Sequence, residues 1–351
     1  MAEIADSLLS CPMPIDHGDI VQLAHGGGGQ LTSRLVERVF VPAFRNPFLD
    51  QLGDGAVVPF GSERLAFTTD TFVVKPLFFP GGDIGSLAVY GTVNDLAMCG
   101  AEPLFLSAGL ILEEGLPMRD LERLVASMAE ACARVGVPLV TGDTKVVDRG
   151  KGDGIFINTS GVGRVRAGIQ VSPGRATPGD VVLVSGPIGD HGIAVMAARE
   201  GIEFETALAS DSAPVLAPVR ALLDAVPETH VLRDPTRGGL ATALAEIAVA
   251  SRAGIRIDEA AVPVREEVRG ACELLGFDPL YVACEGRFLA IVPGPLADRA
   301  LEAIRSRPEG AGAQRIGAVV AEDPGRLVLR TLVGSHRPLE KLSGEQLPRI
   351  C

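Results

Sequence analysis

Twice along this chain, short apolar alternations of strand type take turns with longer segments of helical period, and a Gly- and Pro-rich stretch separates the two runs. That rhythm restricts the fold more than any other feature. Strands that alternate with amphipathic helices cover their sheets with those helices, which gives an α/β class, here with mixed rather than purely parallel sheets. In the first block, residues 65–69 alternate as a strand ending at Asp70, and residues 85–98 form a helix with Leu87, Tyr90, Val93 and Ala97 on one face. Strands follow at 104–112, 137–141 and 154–162, with a helical period over 121–135 stopped by Gly136. Residues 165–178 lack periodicity and mark the boundary. The second block has strands at 181–185, 255–257, 288–292, 316–320 and 327–333, and helices at 190–200, 213–225, 239–251, 265–275 and 296–307. The expected organisation is therefore an irregular N-terminal segment (1–47), a first α/β domain (48–164), a second (175–333) and a flexible tail (334–351).

Length supports two domains, each with its own core. There is no Trp and only two Tyr, so those cores are built from Val, Leu, Ile and Ala. A net charge of −12 argues against nucleic acid or an anionic membrane as partner, and requires that any phosphate ligand be met by metal ions or a few placed cations. None of the six cysteines forms a CxxC pair or has zinc-finger spacing, and Cys99, Cys132, Cys272 and Cys284 sit in apolar patterns as small hydrophobes. With no apolar run of membrane-spanning length and no signal-peptide pattern, a reducing cytoplasm fits best.

The chemically distinctive residues are acids at the ends of elements, each beside Gly, Thr or Asn: Asp54, Asp70, Asp95, Asp143 and Asp234. Magnesium prefers hard oxygen ligands and keeps phosphate oxygens in its shell, so such acids suit a Mg2+–ATP site; the alternative for each is a turn or a helix cap. Gly26, Gly27, Gly28 and Gly29 offer consecutive unhindered amides for phosphates, although the run fits neither the Walker A nor the GxGxxG spacing and also reads as a linker. The chain ends Pro348-Arg349-Ile350-Cys351, and a thiol on a free end can be threaded into a narrow site. The alternative is a frayed terminus with an incidental Cys.

Taken together, HGGGGQ, GDGA, TTD, TVNDLAMCGA, TGDTKVV, DPTRGGLA, CEGR and the terminal PRIC resemble the ATP-dependent superfamily of aminoimidazole ribonucleotide synthetase and selenophosphate synthetase, and within it the HypE family of hydrogenase maturation proteins. The resemblance covers nearly the whole chain. It implies a two-domain subunit that dimerises through its N-terminal domain, with ATP near the dimer interface. Gly26–Gly29, Asn94, Asp143, Thr144 and Lys145 would bind the nucleotide, and the five acids its Mg2+. It further implies that a HypF-type carbamoyltransferase loads a carboxamide onto the sulfur of Cys351. ATP-dependent dehydration would convert this to a thiocyanate, and the cyanide would pass to iron on a HypC–HypD scaffold. Glu285, before the 288–292 strand, is the candidate base, and Lys145 the cation for developing charge; each also reads as a solvated surface residue. The terminal carboxylate disfavours the Cys351 thiolate, and Arg349 is expected to offset that in part. Two rivals remain: a selenophosphate synthetase, whose usual Cys in the glycine loop is missing here, and a non-catalytic metal carrier using Cys351 and His336.

Overall fold

In the computed structural model, which describes residues 21–201, 208–343 and 349–351, two mixed sheets face each other across layers of helix. The sequence readings of Cys11 and Pro348 lie outside the described residues. The first sheet comprises β1 (Ala56–Phe60), β2 (Glu63–Phe72), β3 (Ala101–Glu113), β4 (Leu139–Val147) and β5 (Ile155–Val165), in the order β1-β2-β5-β3-β4. Only the β3–β4 pair at its edge is parallel. The second comprises β6 (Asp180–Val184), β7 (Val231–Arg233), β8 (Gly254–Asp258), β9 (Leu289–Pro293), β10 (Gln314–Val320), β11 (Leu327–Arg330) and β12 (His336–Leu339), in the order β12-β11-β8-β10-β6-β9-β7.

Helix α1 (Ile84–Met98) is the hub of the molecule. Asp83 caps it, its Oδ1 accepting from the amides of Gly85 and Ser86 at 2.8 and 2.9 Å. The expected apolar face is buried, but so is nearly every other position, because α1 lies between the first sheet, α2 (Met118–Val135) and α4 (Leu216–Ala225) of the second half. Gly91 makes the close approach possible, since a Cβ there would lie 2.8 Å from the Phe72 ring. A single apolar cluster runs from Phe72, Val93 and Leu106 through Leu222 and Phe288 of the second half, and it also contains Ile350 and Cys351. Each fully buried Leu, Ile or Phe in such a core is worth about 1.5–3 kcal/mol. Helices α3 (Asp190–Glu200), α5 (Gly239–Ser251), α6 (Glu266–Leu275) and α7 (Ala297–Arg305) cover the second sheet and its flanks.

Several expectations change. Residues 30–44 are helical rather than irregular, in three consecutive pieces, Gln30–Leu35, Val36–Phe40 and Val41–Phe44. Asp70 lies within β2 rather than at its end, and β4 runs on to Val147, so Asp143 and Lys145 sit inside a strand. The tail beyond Gly334 opens with another strand, β12, paired antiparallel with β11, and Leu339, Leu342, Ile350 and Cys351 are buried. Arg337 and Pro338 hide the strand period there, and Pro338 is tolerated because β12 is at the sheet edge. Of the four cysteines read as small hydrophobes, three are buried and Cys132 is half-buried.

Candidate active site at the seam between the sheets

Alternation along β2 turns Ala66, Thr68, Asp70 and Phe72 toward α1 and leaves Phe67, Thr69 and Thr71 on the outer face. The inner row meets Asp95 on α1, the Asp54 loop before β1, and Asp234 after β7. The Thr68 hydroxyl sits 2.7 Å from Asp95 Oδ2 and 2.9 Å from the Asp54 carbonyl oxygen. Asp54 is paired with Arg233 at 2.8 Å, and Arg233 also holds Glu246 at 2.9 Å. Four carboxyls thus share one poorly solvated corner, and their pKa values show it. Burial, against the pull of Arg233, raises Asp54 to about 6. Burial and the Asp54 charge raise Asp234 to about 8. Asp95 is pushed well above the carboxylate range by burial, then by Asp234, Asp70 and Asp54; Asp70 rises by burial, opposed by Arg237. Among the described residues no three His, Cys, Asp or Glu groups converge as a ready-made metal cage. What they offer is a set of hard oxygens crowded with unfavourable charge, which fits a Mg2+ ion that brings water and phosphate oxygens of its own.

Beside this corner opens a cleft of about 780 Å³, lined among others by Gly26, Gly28, Gly53, Gly55, Asp234 and Arg237. The glycines are there for close packing as much as for ligand approach. A Cβ on Gly28 would lie 2.6 Å from that of Arg237, and one on Gly29 would lie 2.3 Å from the Leu342 carbonyl oxygen. The Gly28 amide donates to Thr32 Oγ1 at 2.9 Å and is not free for phosphate.

Glu285 lies just beyond the corner, 4% exposed, in the loop that leads into β9. Its backbone is fixed at both ends: Glu285 N–H donates to Asp211 Oδ1 at 3.0 Å, and its carbonyl accepts from Asn94 Nδ2 at 3.3 Å. The buried Cys351 thiol lies beside the Glu285 carboxyl, whose Oε1 is buried without a hydrogen-bond partner among the described residues. Burial, with Asp234, Asp70 and Asp211, lifts the Glu285 pKa well above the usual carboxylate value. Burial and Glu285 do the same for the thiol, and Arg237 works against them. Both shifts favour the protonated forms, and a carboxyl of raised pKa is the stronger base once its proton has left.

Three expectations meet a different geometry within this chain. Arg349 does not face the sulfur; its guanidinium pairs with Asp153, and the cation that acts on Cys351 is Arg237. Asn94 is committed to the fold, with Nδ2 also donating to the Ala213 carbonyl at 3.0 Å and Oδ1 accepting from Val215 N–H at 2.9 Å. Asp143, Thr144 and Lys145 are exposed on β4, with Asp143 and Lys145 paired to each other at 2.6 Å. The Lys145 hydrogen bond lowers the Asp143 pKa, the opposite of the shift in the buried acids. β4 is three strand positions from β2, about 14 Å at the usual strand spacing, so these residues do not reach Asp70 within one chain. Arg233, Arg237, Asp211 and His191 had been given no role. Arg237 was visible inside DPTRGGLA; the others carry no signal of their own.

This two-sheet architecture, with acids gathered at the seam, defines a class. The AIR synthase related protein N-terminal domain family matches residues 52–165, and the corresponding C-terminal domain family matches 177–330. A curated relative from Azotobacter vinelandii, named carbamoyl dehydratase HypE, is 54% identical over 94% of this chain and 97% of its own. Among solved structures, HypE in a HypE–HypF complex superposes with a TM-score of 0.84 at 48% identity, over 88% of this chain and 99% of that one. HypE in complex with ATP superposes at 0.80 with 49% identity, over 95% of this chain and all of the other. The chain belongs to the HypE family of AIR synthase-related proteins.

Proposed function

We propose that this chain is an ATP-dependent carbamoyl dehydratase whose substrate is a carboxamide carried on the sulfur of its own Cys351, and whose product is the S-cyanide that supplies cyanide to the iron of a nickel–iron hydrogenase. The observation that carries this reading is the buried contact between Cys351 and Glu285, beside Arg237 and the acid corner. An amide oxygen is a poor leaving group. Transfer of the γ-phosphoryl group to it releases ADP, and one N–H proton goes to a base. Cleavage of the C–O bond then releases phosphate, the second N–H proton departs, and the carbon–nitrogen triple bond forms. Carboxamide and ATP thus become thiocyanate, ADP, phosphate and one proton, with no redox partner. Glu285 takes the amide proton, its position fixed by Asn94 and Asp211. Arg237 steadies charge at the oxygen. The ATP-bound HypE structure, at 49% identity, supports nucleotide binding. Asp54, Asp70, Asp95 and Asp234 hold the Mg2+, which supplies counter-charge to the phosphates.

Lys145 and Asp143 act on the site of a second copy. The outer face of the first sheet is uncovered, with Phe67, Phe105 and Ile111 exposed on it, and β4 is an unpaired edge among the described residues. A homodimer through this face covers the apolar surface and closes the edge. The solved HypE–HypF complex supports a HypF-type carbamoyltransferase as a partner; on this reading it loads Cys351, and a HypC–HypD iron scaffold takes the product. No described helix is long and apolar enough to cross a membrane, in keeping with work in the cytoplasm. The metal-carrier alternative loses its ligand pair, since His336 is exposed on β12 and Cys351 is buried at the seam. The test is mass spectrometry of the C-terminal peptide after incubation with ATP and a carbamoylating partner. A carbamoylated peptide that then loses one water supports the reading; one that never does so removes it.

A further inference from the structure

The last described residues do not merely reach the site; they are held there by groups that no step of the dehydration uses. The Arg349 carbonyl accepts two hydrogen bonds, from Lys75 N–H at 3.1 Å and from Arg199 Nη2 at 2.6 Å. Arg199 is itself oriented by its Nε donating to the Lys75 carbonyl at 2.9 Å. The Ile350 carbonyl lies 2.6 Å from His191 Nε2. A carbonyl only accepts, so Nε2 carries the proton and Nδ1 accepts from Ser210 Oγ at 2.7 Å. The His191 ring is completely buried, edge-on to Phe79 at 5.5 Å between centroids, and burial keeps it neutral. Two contacts read side chains instead of backbone: Asp153 pairs with the Arg349 guanidinium, and Ile350 is 3% exposed within the apolar core. The groups come from both halves of the molecule, Lys75 and Asp153 from the first, His191 and Arg199 from α3.

We propose that His191, Arg199, Asp153 and the Lys75 amide form a recognition groove for a carboxy-terminal Arg-Ile-Cys segment, and that this groove holds the Cys351 sulfur on Glu285. Backbone-directed donors fix the depth and direction of the segment, and Asp153 with the apolar pocket selects its sequence. Docking places a reactive sulfur beside its base without using either group, so these are positioning residues. Its purpose rests on the dehydration reading above; the existence of the groove does not.

The experiment uses the full chain without ATP or partner. Iodoacetamide labelling of Cys351 is timed by peptide mass spectrometry, with Cys132 and Cys272 as internal references. Wild-type Cys351 should react far more slowly than the same thiol in a free Arg-Ile-Cys peptide. Arg199→Ala, Asp153→Asn and His191→Leu should each speed it by about tenfold or more, the ratio that loss of one strong hydrogen bond produces. Arg199→Lys and His191→Gln, which retain a donor, should remain nearer to wild type. If buried His191→Leu disturbs the fold, the references accelerate too, and the two partly exposed substitutions decide. Equal labelling of Cys351 in wild type and in the Arg199 and Asp153 variants overturns the groove. Graded protection of Cys351 in a protein that never forms a thiocyanate would leave the groove standing and remove the dehydration.

Discussion

The two stretches of this chain that carry reactive polar groups stand in opposite surroundings. At the seam, Glu285, Cys351, Asp95 and Asp234 are buried, mutually repelling or hydrogen-bonded, and shifted toward neutrality. On β4, Asp143 and Lys145 lie in solvent, neutralise each other and are shifted the other way. The buried set is assembled by one chain. The exposed set has the residue types of a phosphate site without an enclosure, as expected of groups that are completed by a second surface. Low dielectric makes the first set strong and fixed, and water keeps the second weak until it is covered.

The largest effect expected from breaking this contrast comes from the buried side. Cys351→Ala should leave nothing to dehydrate, so that thiocyanate formation falls to zero while calorimetry shows unchanged nucleotide binding; hydrogenase maturation by that variant would remove Cys351 as the carrier. Glu285→Gln keeps the shape and removes the base, and should slow dehydration by about 10²–10⁴, with the carbamoylated protein accumulating in intact-mass spectra. On the exposed side, Lys145→Ala should cost about 10²–10³ in rate. Mixing Lys145→Ala protomers with Glu285→Gln protomers sharpens the comparison. If Lys145 serves the neighbouring copy, half of the randomly paired dimers regain one intact site of two, and about a quarter of wild-type activity returns. No recovery after verified subunit exchange would place both residues in one chain's site.

The smallest effect concerns the acid corner without metal. Asp54 and Asp234 are raised to about 6 and about 8 in the folded chain. Between the unfolded carboxylate value near 4 and those folded values, the native state binds more protons than the unfolded one. Stability from these groups is therefore present at low pH and lost as pH climbs to about 8. Scanning calorimetry in EDTA should show Tm falling by a few degrees between pH 5.5 and 8.5, about the shift that 3–4 kcal/mol gives in a chain of this size. Added Mg2+ should restore more at pH 8.5 than at 5.5. A flat profile would mean that the acids are better solvated than their burial indicates.

Much of the architecture was legible in periodicity. Residues 190–200 and 239–251 were bounded as they occur, and α1 began one residue early. What periodicity missed were pieces too short or too polar to carry it: β7 has three residues, and β12 reads His-Arg-Pro-Leu. In the site, the acids drew notice because each stands among turn formers, and Glu285 only through the resemblance carried by its CEGR motif. Their grouping was not, since Asp143 has the same local setting as Asp54 and differs only in which strand carries it. The bracing of the two halves by Asn94 was not legible, because the motif marks it equally well as a ligand group. The grip of His191 and Arg199 on the tail was beyond sequence reasoning, because a carbonyl acceptor is the same at every residue.

The burial of Cys351 limits what can be attached beyond it. The sulfur lies in a pocket closed by the core, so residues appended after Cys351 would have to enter with it or hold it outside. An affinity tag fused directly after Cys351 should therefore silence the protein as thoroughly as loss of the cysteine itself, while the fold and every other residue remain intact.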